Sequence, residues 1–281
     1  MHRIDPHTHS NISDGTDTPA ALMEAAAAAG LTVVGLTDHD TTGGWEEAAA
    51  QVARTGVSLL RGMEVSCQGE GITVHLLSYL HDPTDPNLLA ACAATLESRR
   101  TRAQRMVENL SADYPITFED VLRHAPTSGP VGRPHIADAL VEAGCFPNRN
   151  ASFEWALHPR GPYYARPVTP SAVEAVQLVR AAGGVPVIAH PRARTRQRLL
   201  PVQIIGDMVE AGLAGMECYH RDHSAEDVEI ALRQAKQFGL LITGSSDYHG
   251  TGKPNQLGEN TTDVQTLASI REQGKLEVIE A

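Results

Sequence analysis

The sequence predicts an α/β protein, a closed or distorted β/α barrel interrupted by a helical insertion. Three observations carry this. A chain of 281 residues with 42% apolar side chains can bury a large core. Strand-like apolar runs alternate with helical patterns through the first eighty residues and again beyond residue 170. Between about residues 90 and 165 that alternation is lost. Alternating units imply a largely parallel sheet, and about seven of them favour closure over an open sheet.

The elements follow in order. Arg3–His7 reads as a short strand, and Pro19–Ala29 as an Ala-rich helix that Thr18 starts and Gly30 ends. Thr32–Thr37 is a buried strand, Trp45–Arg54 a helix, and Val57–Val65 and Ile72–Leu80 two further strands. After the insertion come helix Ser171–Ala182, strand Val185–Ala189, helix Pro201–Ala211 and strand Gly215–Tyr219. Helix Ala225–Phe238 and strand Leu240–Gly244 complete the set. The insertion itself reads as one long Arg-rich helix, Leu88–Leu110, then helical pieces at Phe118–His124 and Pro134–Ala143. A Gly- and Pro-rich loop, Pro159–Pro167, leads out of it. The expected domains are a barrel, 1–89 and 167–281, and a helical cap, 90–166. Trp45 and Trp155 read as structural.

A net charge of −11 argues against a general nucleic-acid coat but not against a small phosphorylated substrate. From Ser98 to Arg166 nine arginines meet seven acids, so the insertion is net +2 while the rest carries −13. A basic cap on an acidic barrel suits an anion. No apolar run approaches the ~18 residues of a membrane span. The opening residues lack a signal-peptide pattern, so the cytoplasm is expected. Cys67, Cys92, Cys145 and Cys218 are scattered, form no CxxC pair and read as apolar filler.

The thirteen histidines decide the chemistry by where they sit. Active sites of β/α barrels gather at the C-terminal ends of strands. The first strand ends in His7 and His9 with Asp14 following, and the second in Asp38, His39 and Asp40. The third runs into Glu64, and the fourth carries His75. Val185–Ala189 ends in His190, and the last strand runs into Asp247 and His249. An HxH pair on a strand points both imidazoles to one face. Imidazole and carboxylate are ligands for Mn, Fe and Zn, so a metal site is expected. Asp38 and Asp40 are expected to orient the imidazoles by hydrogen bonds.

These residues carry a resemblance. HTHSNISDG, LTDHD, GMEVS, HLLSY, IAHP and SSDYHG match, in order, the motifs of the PHP (polymerase and histidinol phosphatase) family over about residues 1–82 and 168–260. The resemblance implies a distorted seven-stranded β/α barrel holding three divalent metals, Mn foremost, with Fe or Zn as alternatives. It implies His7, His9, Glu64 and Asp247 on the first metal, and Glu64, His75 and His190 on the second. Asp14, His39 and His249 would hold the third. GRPHIADALVEAG and GPYYARP resemble the cap of the stand-alone PHP phosphoesterases. Those enzymes remove the 3′-phosphate from nucleoside 3′,5′-bisphosphates or degrade short 5′-phosphorylated oligonucleotides from the 5′ end.

Such a site implies phosphate-ester hydrolysis by a hydroxide bridging the metals, which lower a water's pKa from about 15.7 towards neutral. Glu64, His190 and Asp247 are the expected catalytic centre. Arg133, His135, Arg160 and Arg192, with Arg194, are candidates for the remaining phosphate oxygens, because guanidinium binds two at once. His223 and His220 are candidates to line the pocket, and Tyr163 and Tyr164 are expected in the cap core. Histidinol-phosphate phosphatase is the nearest alternative, since it shares the ligand set. An amidohydrolase bridging its metals with a carboxylated lysine is less favoured, because none of the three lysines ends a central strand. A metal-stabilised, non-catalytic binding module is the alternative of another class. No P-loop is present: Gly252-Lys253 lacks its partner glycine. No membrane or obligate protein partner is implied, only a phosphorylated nucleotide or short oligonucleotide.

Overall fold

Seven strands order themselves in one sheet, β1 (Ile4–Thr8), β2 (Val33–Leu36), β3 (Ser58–Gly69), β4 (Ile72–Tyr79), β5 (Val185–Ile188), β6 (Gly215–Tyr219) and β7 (Leu241–Gly244), paired in sequence order. They belong to a computed structural model that describes residues 2–124, 131–158, 160–195 and 198–281. The sheet nearly closes: His9 N–H donates to the Tyr248 carbonyl at 2.8 Å and Asp247 N–H to that of His7 at 3.0 Å, joining the segment after β7 to β1.

The pairing is parallel except on either side of β4. The expectation of a largely parallel sheet holds, and the exception has a physical reason. Only Glu70 and Gly71 separate β3 from β4, and both have positive φ (49° and 70°). That is the two-residue turn of a tight antiparallel hairpin, whereas a parallel pair needs a crossover. β3 also runs on to Gly69, so Glu64 lies inside a strand rather than at its end.

Helices α1 (Pro19–Ala28), α2 (Trp45–Ala49), α3 (Val52–Thr55) and α4 (Pro86–Leu110) follow the first strands. The helix expected over Trp45–Arg54 is thus two short ones. Next come α5 (Phe118–Leu122), α6 (Arg133–Glu142) and α7 (Arg149–Glu154), then α8 (Ala172–Ala181), α9 (Val202–Glu210), α10 (Ala225–Phe238) and α11 (Val264–Gln273). Periodicity had not singled out α7 or α11. Thr18 caps α1 by accepting from Ala21 N–H, and Ser171 and Glu174 form a reciprocal box at α8.

By contact the chain forms two units, Met1–Cys92 with Pro170–Ala281, and Ala93–Thr169. In the barrel unit α8, α9 and α10 bury Val176, Met208 and Ala231 against Val65, Leu76 and Met216 of the sheet. On the other side Leu22, Met23 and Trp45 cover Val34, Leu36 and Leu59. Strands β1 and β2 approach closely at Gly35, where a Cβ would stand 2.0 Å from the Pro6 carbonyl oxygen. The second unit has its own core, built on the α4 face of Ala103, Met106, Val107 and Leu110 with Ile136, Leu140 and Leu157. Tyr163 and Tyr164 pack at its edge, whereas Trp155 is 64% exposed rather than structural. Pro159, the expected start of the exit loop, lies outside the described residues.

His81 follows β4, is buried, and bonds Ser78 Oγ through Nδ1 at 2.9 Å. Burial pushes its imidazole down to about 4. The folded chain therefore refuses a proton that the unfolded chain accepts near pH 6.5. Stability is full above that value and falls as pH drops towards 4. Between about pH 7 and about pH 4.5, the wild type should lose about 2 kcal/mol more than His81→Asn, compared by urea unfolding. Parallel losses in the two chains would remove His81 from the acid limb.

Candidate metal centre

Glu64 is the hub. Its carboxylate is 1% exposed and meets imidazoles from all round the barrel. His75 Nδ1 lies 2.9 Å and His190 Nε2 3.2 Å from Oε1. His9 Nε2 at 3.0 Å, His7 Nε2 at 3.3 Å and His39 Nδ1 at 3.4 Å surround Oε2. Each comes from a different place: His7 from β1, His9 just beyond it, His39 after β2, His75 from β4 and His190 after β5. Asp247, after β7, adds Oδ1 at 3.5 Å from His7 and 3.4 Å from His9. Asp14 Oδ1 stands 3.2 Å from His249 Nε2 and 3.5 Å from His9 Nδ1, with His39 Nε2 3.7 Å from its other oxygen.

All nine expected side chains are thereby brought together. Among the described residues eight of them form three overlapping groups: His7, His9, Glu64 and Asp247; His9, Asp14, His39 and His249; and His39, Glu64 and His75; His190 joins through Glu64. The donor set fits divalent cations. His9 Nδ1, His39 Nδ1, His249 Nε2 and Glu64 Oε2 are buried without a hydrogen-bond partner. Each such orphan costs about 1–3 kcal/mol, which cation coordination relieves. His7 Nε2 and His9 Nε2 face one another at 3.1 Å, an arrangement two lone pairs tolerate when they converge on a cation.

The electrostatics suit that purpose. Burial opposes ionisation of Glu64, yet His39, His75 and His7 outweigh it and hold the carboxyl well below the usual range. Asp247 is likewise held low, burial being overcome by bonds from His220 and His9 and the charge of His7. Burial pushes His190 down to about 4, leaving the neutral imidazole a metal needs. At His9 burial is outweighed by Asp247 and Glu64, which raise it to about 9.

Other residues fix the first ones. Glu217, in β6, is fully buried, accepts His7 Nδ1–H at 3.2 Å and His190 N–H at 2.7 Å, and is bonded by the Ser245 hydroxyl. It locks His7 into the tautomer whose Nε2 lone pair faces Glu64 and Asp247. Sequence reasoning missed it. The signal was there: one carboxylate inside the otherwise apolar run GMECY. Lys253, also missed, reaches Asp247 Oδ2 at 3.2 Å. Asp38 accepts from Ser10 N–H, Ser10 Oγ and Ser13 Oγ, and Asp40 from Ser66 N–H. These bonds shape the backbone next to the histidines.

The candidate substrate residues fall in both units. Arg192 and Arg194 both donate through Nε to Asp227, at 2.9 Å each. His223 has both ring nitrogens engaged, donating to the Cys218 carbonyl and accepting from Arg192 N–H. His220 Nε2 is 3.6 Å from Asp247 Oδ2. Arg133, His135 and Arg160 belong to the helical unit. Arg133 donates to the Leu157 carbonyl, His135 Nδ1 accepts from Gly132 N–H, and Arg160 is exposed.

A nearly closed seven-stranded barrel whose strands deliver clustered imidazoles and carboxylates to one centre defines a metallohydrolase. The PHP domain model matches residues 5–124. The chain is 35% identical over 268 residues to a 3′,5′-nucleoside bisphosphate phosphatase from Chromobacterium violaceum, covering 95% of this chain and 94% of that one. It is 34% identical to a phosphoribosyl 1,2-cyclic phosphate 1,2-diphosphodiesterase from Eggerthella lenta (88% and 94% covered). It is 29% identical to a 5′-3′ exoribonuclease from Haemophilus influenzae (96% and 98% covered). A crystal structure from Bifidobacterium adolescentis, provisionally described as a metal-dependent phosphoesterase, shares 42% identity at a TM-score of 0.76, covering 97% and 96%. The chain belongs to the PHP family. It is a metal-dependent phosphoesterase.

Glu217→Gln keeps the shape and one acceptor but removes the charge that orients His7. Metal affinity should fall about 10–100-fold with the circular dichroism spectrum unchanged, measured by competition with a chelator. An unaltered affinity would reduce Glu217 to core filling.

Proposed function

We propose that the chain hydrolyses phosphate esters of nucleotides. It takes the 3′-phosphate from nucleoside 3′,5′-bisphosphates or cuts short 5′-phosphorylated oligonucleotides in the 5′→3′ direction. The observation that carries this is the gathering of nine potential ligands, Glu64 among them, in a chain that aligns almost end to end with a nucleoside bisphosphate phosphatase. His7, His9, Glu64 and Asp247 hold one ion, Glu64, His75 and His190 a second, and Asp14, His39 and His249 a third. Mn is the expected metal, and the same donors accept Fe or Zn. Bound there, the ions supply Lewis acidity at phosphorus and make water acidic enough to attack at neutral pH.

The chain's own residues do the rest. Glu64, held ionised, keeps the donors of neighbouring groups within reach of one carboxylate. Asp14, whose side chain is 52% exposed, marks the edge at which a phosphate enters. Asp227 holds Arg192 and Arg194 side by side, a pair of guanidiniums suited to phosphate oxygens that do not react. In this reading Arg133, His135 and Arg160 receive the rest of the substrate, and His223 anchors the Arg192 backbone. Four free cysteines and the absence of a membrane-crossing helix among the described residues agree with a cytoplasmic enzyme.

Manganese-loaded protein should release phosphate from adenosine 3′,5′-bisphosphate or mononucleotides from a short 5′-phosphorylated oligoribonucleotide, with His249→Ala as the blank. Turnover of histidinol phosphate alone, or of a ribosyl 1,2-cyclic phosphate alone, would replace the proposed substrate class.

A further inference from the structure

The Gly252-Lys253 pair that forms no P-loop lies in a turn just after Asp247 and His249. Gly250 has a φ of 66°, and a Cβ there would stand 2.0 Å from Thr16 Oγ1. Thr251 N–H donates to that hydroxyl at 2.9 Å, and Gly252 N–H to the His249 carbonyl at 3.3 Å. Two residues past Lys253, the buried Asn255 side chain donates to the Ser246 carbonyl at 2.6 Å. Lys253 is thus fixed between two anchors, with its side chain 31% exposed.

The neighbours of Asp247 divide its carboxylate in two. Oδ1 faces the imidazoles, 3.5 Å from His7 Nε2 and 3.4 Å from His9 Nε2. Oδ2 accepts from Lys253 Nζ at 3.2 Å, with His220 Nε2 3.6 Å away. His220 Nδ1 accepts Asp222 N–H at 3.1 Å, so the neutral ring carries its proton on Nε2, the atom turned to Oδ2. A lysine that merely covers apolar surface keeps its head group in water. This one brings a full charge to a carboxylate that is 1% exposed, where the interaction is stronger than between two solvated groups.

We propose that Lys253 is a positioning residue for the metal centre: a built-in cation that holds Asp247 in place without metal and makes it a weaker donor to metal. The inference rests on the assignment of an ion to His7, His9, Glu64 and Asp247. Two effects come from one charge. Glu64 and Asp247 place ligand atoms within 4.8 Å of each other, and in the metal-free chain the ammonium offsets their repulsion. In the loaded chain the same ammonium competes for the Asp247 charge, so the site binds less tightly and stays more electrophilic towards phosphorus.

The test compares the full wild-type chain with Lys253→Gln, which keeps a donor without the charge, and Lys253→Arg, which keeps both. Lys253→Met is a second uncharged variant. Mn affinity is measured by competition with a chelator at low ionic strength, where the charge is least screened. Melting temperatures are taken in EDTA and in Mn. Lys253→Gln and Lys253→Met should bind Mn roughly tenfold more tightly than wild type. They should melt below wild type in EDTA and close that gap in Mn. Lys253→Arg should match wild type in both measurements. Uncharged variants that bind Mn no more tightly would overturn the proposal. So would an equal loss of melting temperature with and without Mn, the mark of a residue that only pins its turn, or an Arg variant that behaves like Gln. Wild type that binds no Mn would overturn the ion assignment and this inference together. Wild type that binds Mn, beside uncharged variants that bind it no better, overturns this inference alone.

Discussion

An ionised carboxylate in the middle of a barrel is the constraint on which the rest depends. Removing Glu64 from water costs several kcal/mol unless opposite charge and hydrogen bonds surround it. Here five imidazoles do so, and they arrive from β1, β2, β4 and β5. Register follows from that. A slip of one residue in any of these strands would turn its histidine to the other face and leave Glu64 uncompensated. The antiparallel turn at Glu70-Gly71 belongs to the same logic. It sets Leu77 opposite Glu64, and His75, two residues along β4, reaches the carboxylate diagonally on the same face.

Backbone strain gathers at the same place. Asp40, His190 and Asp247 are non-glycine residues with positive φ, at 54°, 28° and 52°. Such conformations persist only where the surroundings overdetermine them. The surroundings do so: Asp247 N–H is bonded to the His7 carbonyl, His190 N–H to Glu217, and the Asp40 carboxylate to Ser66 N–H. The strain lies just beyond strands that have stopped; there it turns His190 towards Glu64 and Asp247 towards His7 and His9.

The sequence made the barrel legible because its strands and helices alternate with clear periods, and the site legible because histidines and acids recur at strand ends. What stayed hidden has physical causes. Glu64 looked like a strand terminus because Ser66, Gln68 and Gly69 dilute the apolar run that β3 continues through. Glu217 hid among apolar neighbours, since its purpose exists only once His7 and His190 are folded beside it. Lys253 lies in a segment without periodicity, and only folding places it against Asp247. In the helical unit α4 showed its period, but nothing in spacing alone relates Arg102 to Arg133 or Tyr164, which meet only through tertiary packing.

Burial also divides the labour within the centre. His7, His9, Glu64, His190, Asp247 and His249 are almost fully enclosed and held by one another, so they have little freedom to adapt to a substrate. Asp14, His39 and His75 are the open members, with side chains 52%, 11% and 22% exposed. In the proposed reading a phosphoryl group meets the centre at that edge, and the enclosed residues act on it without reading the leaving group. Discrimination in that reading falls to residues outside this enclosed set, such as Arg192 and Arg194 on their shared Asp227. A barrel arranged this way can keep its chemistry fixed while its substrates diverge, because the groups that choose the substrate are not those that hold Glu64 in place.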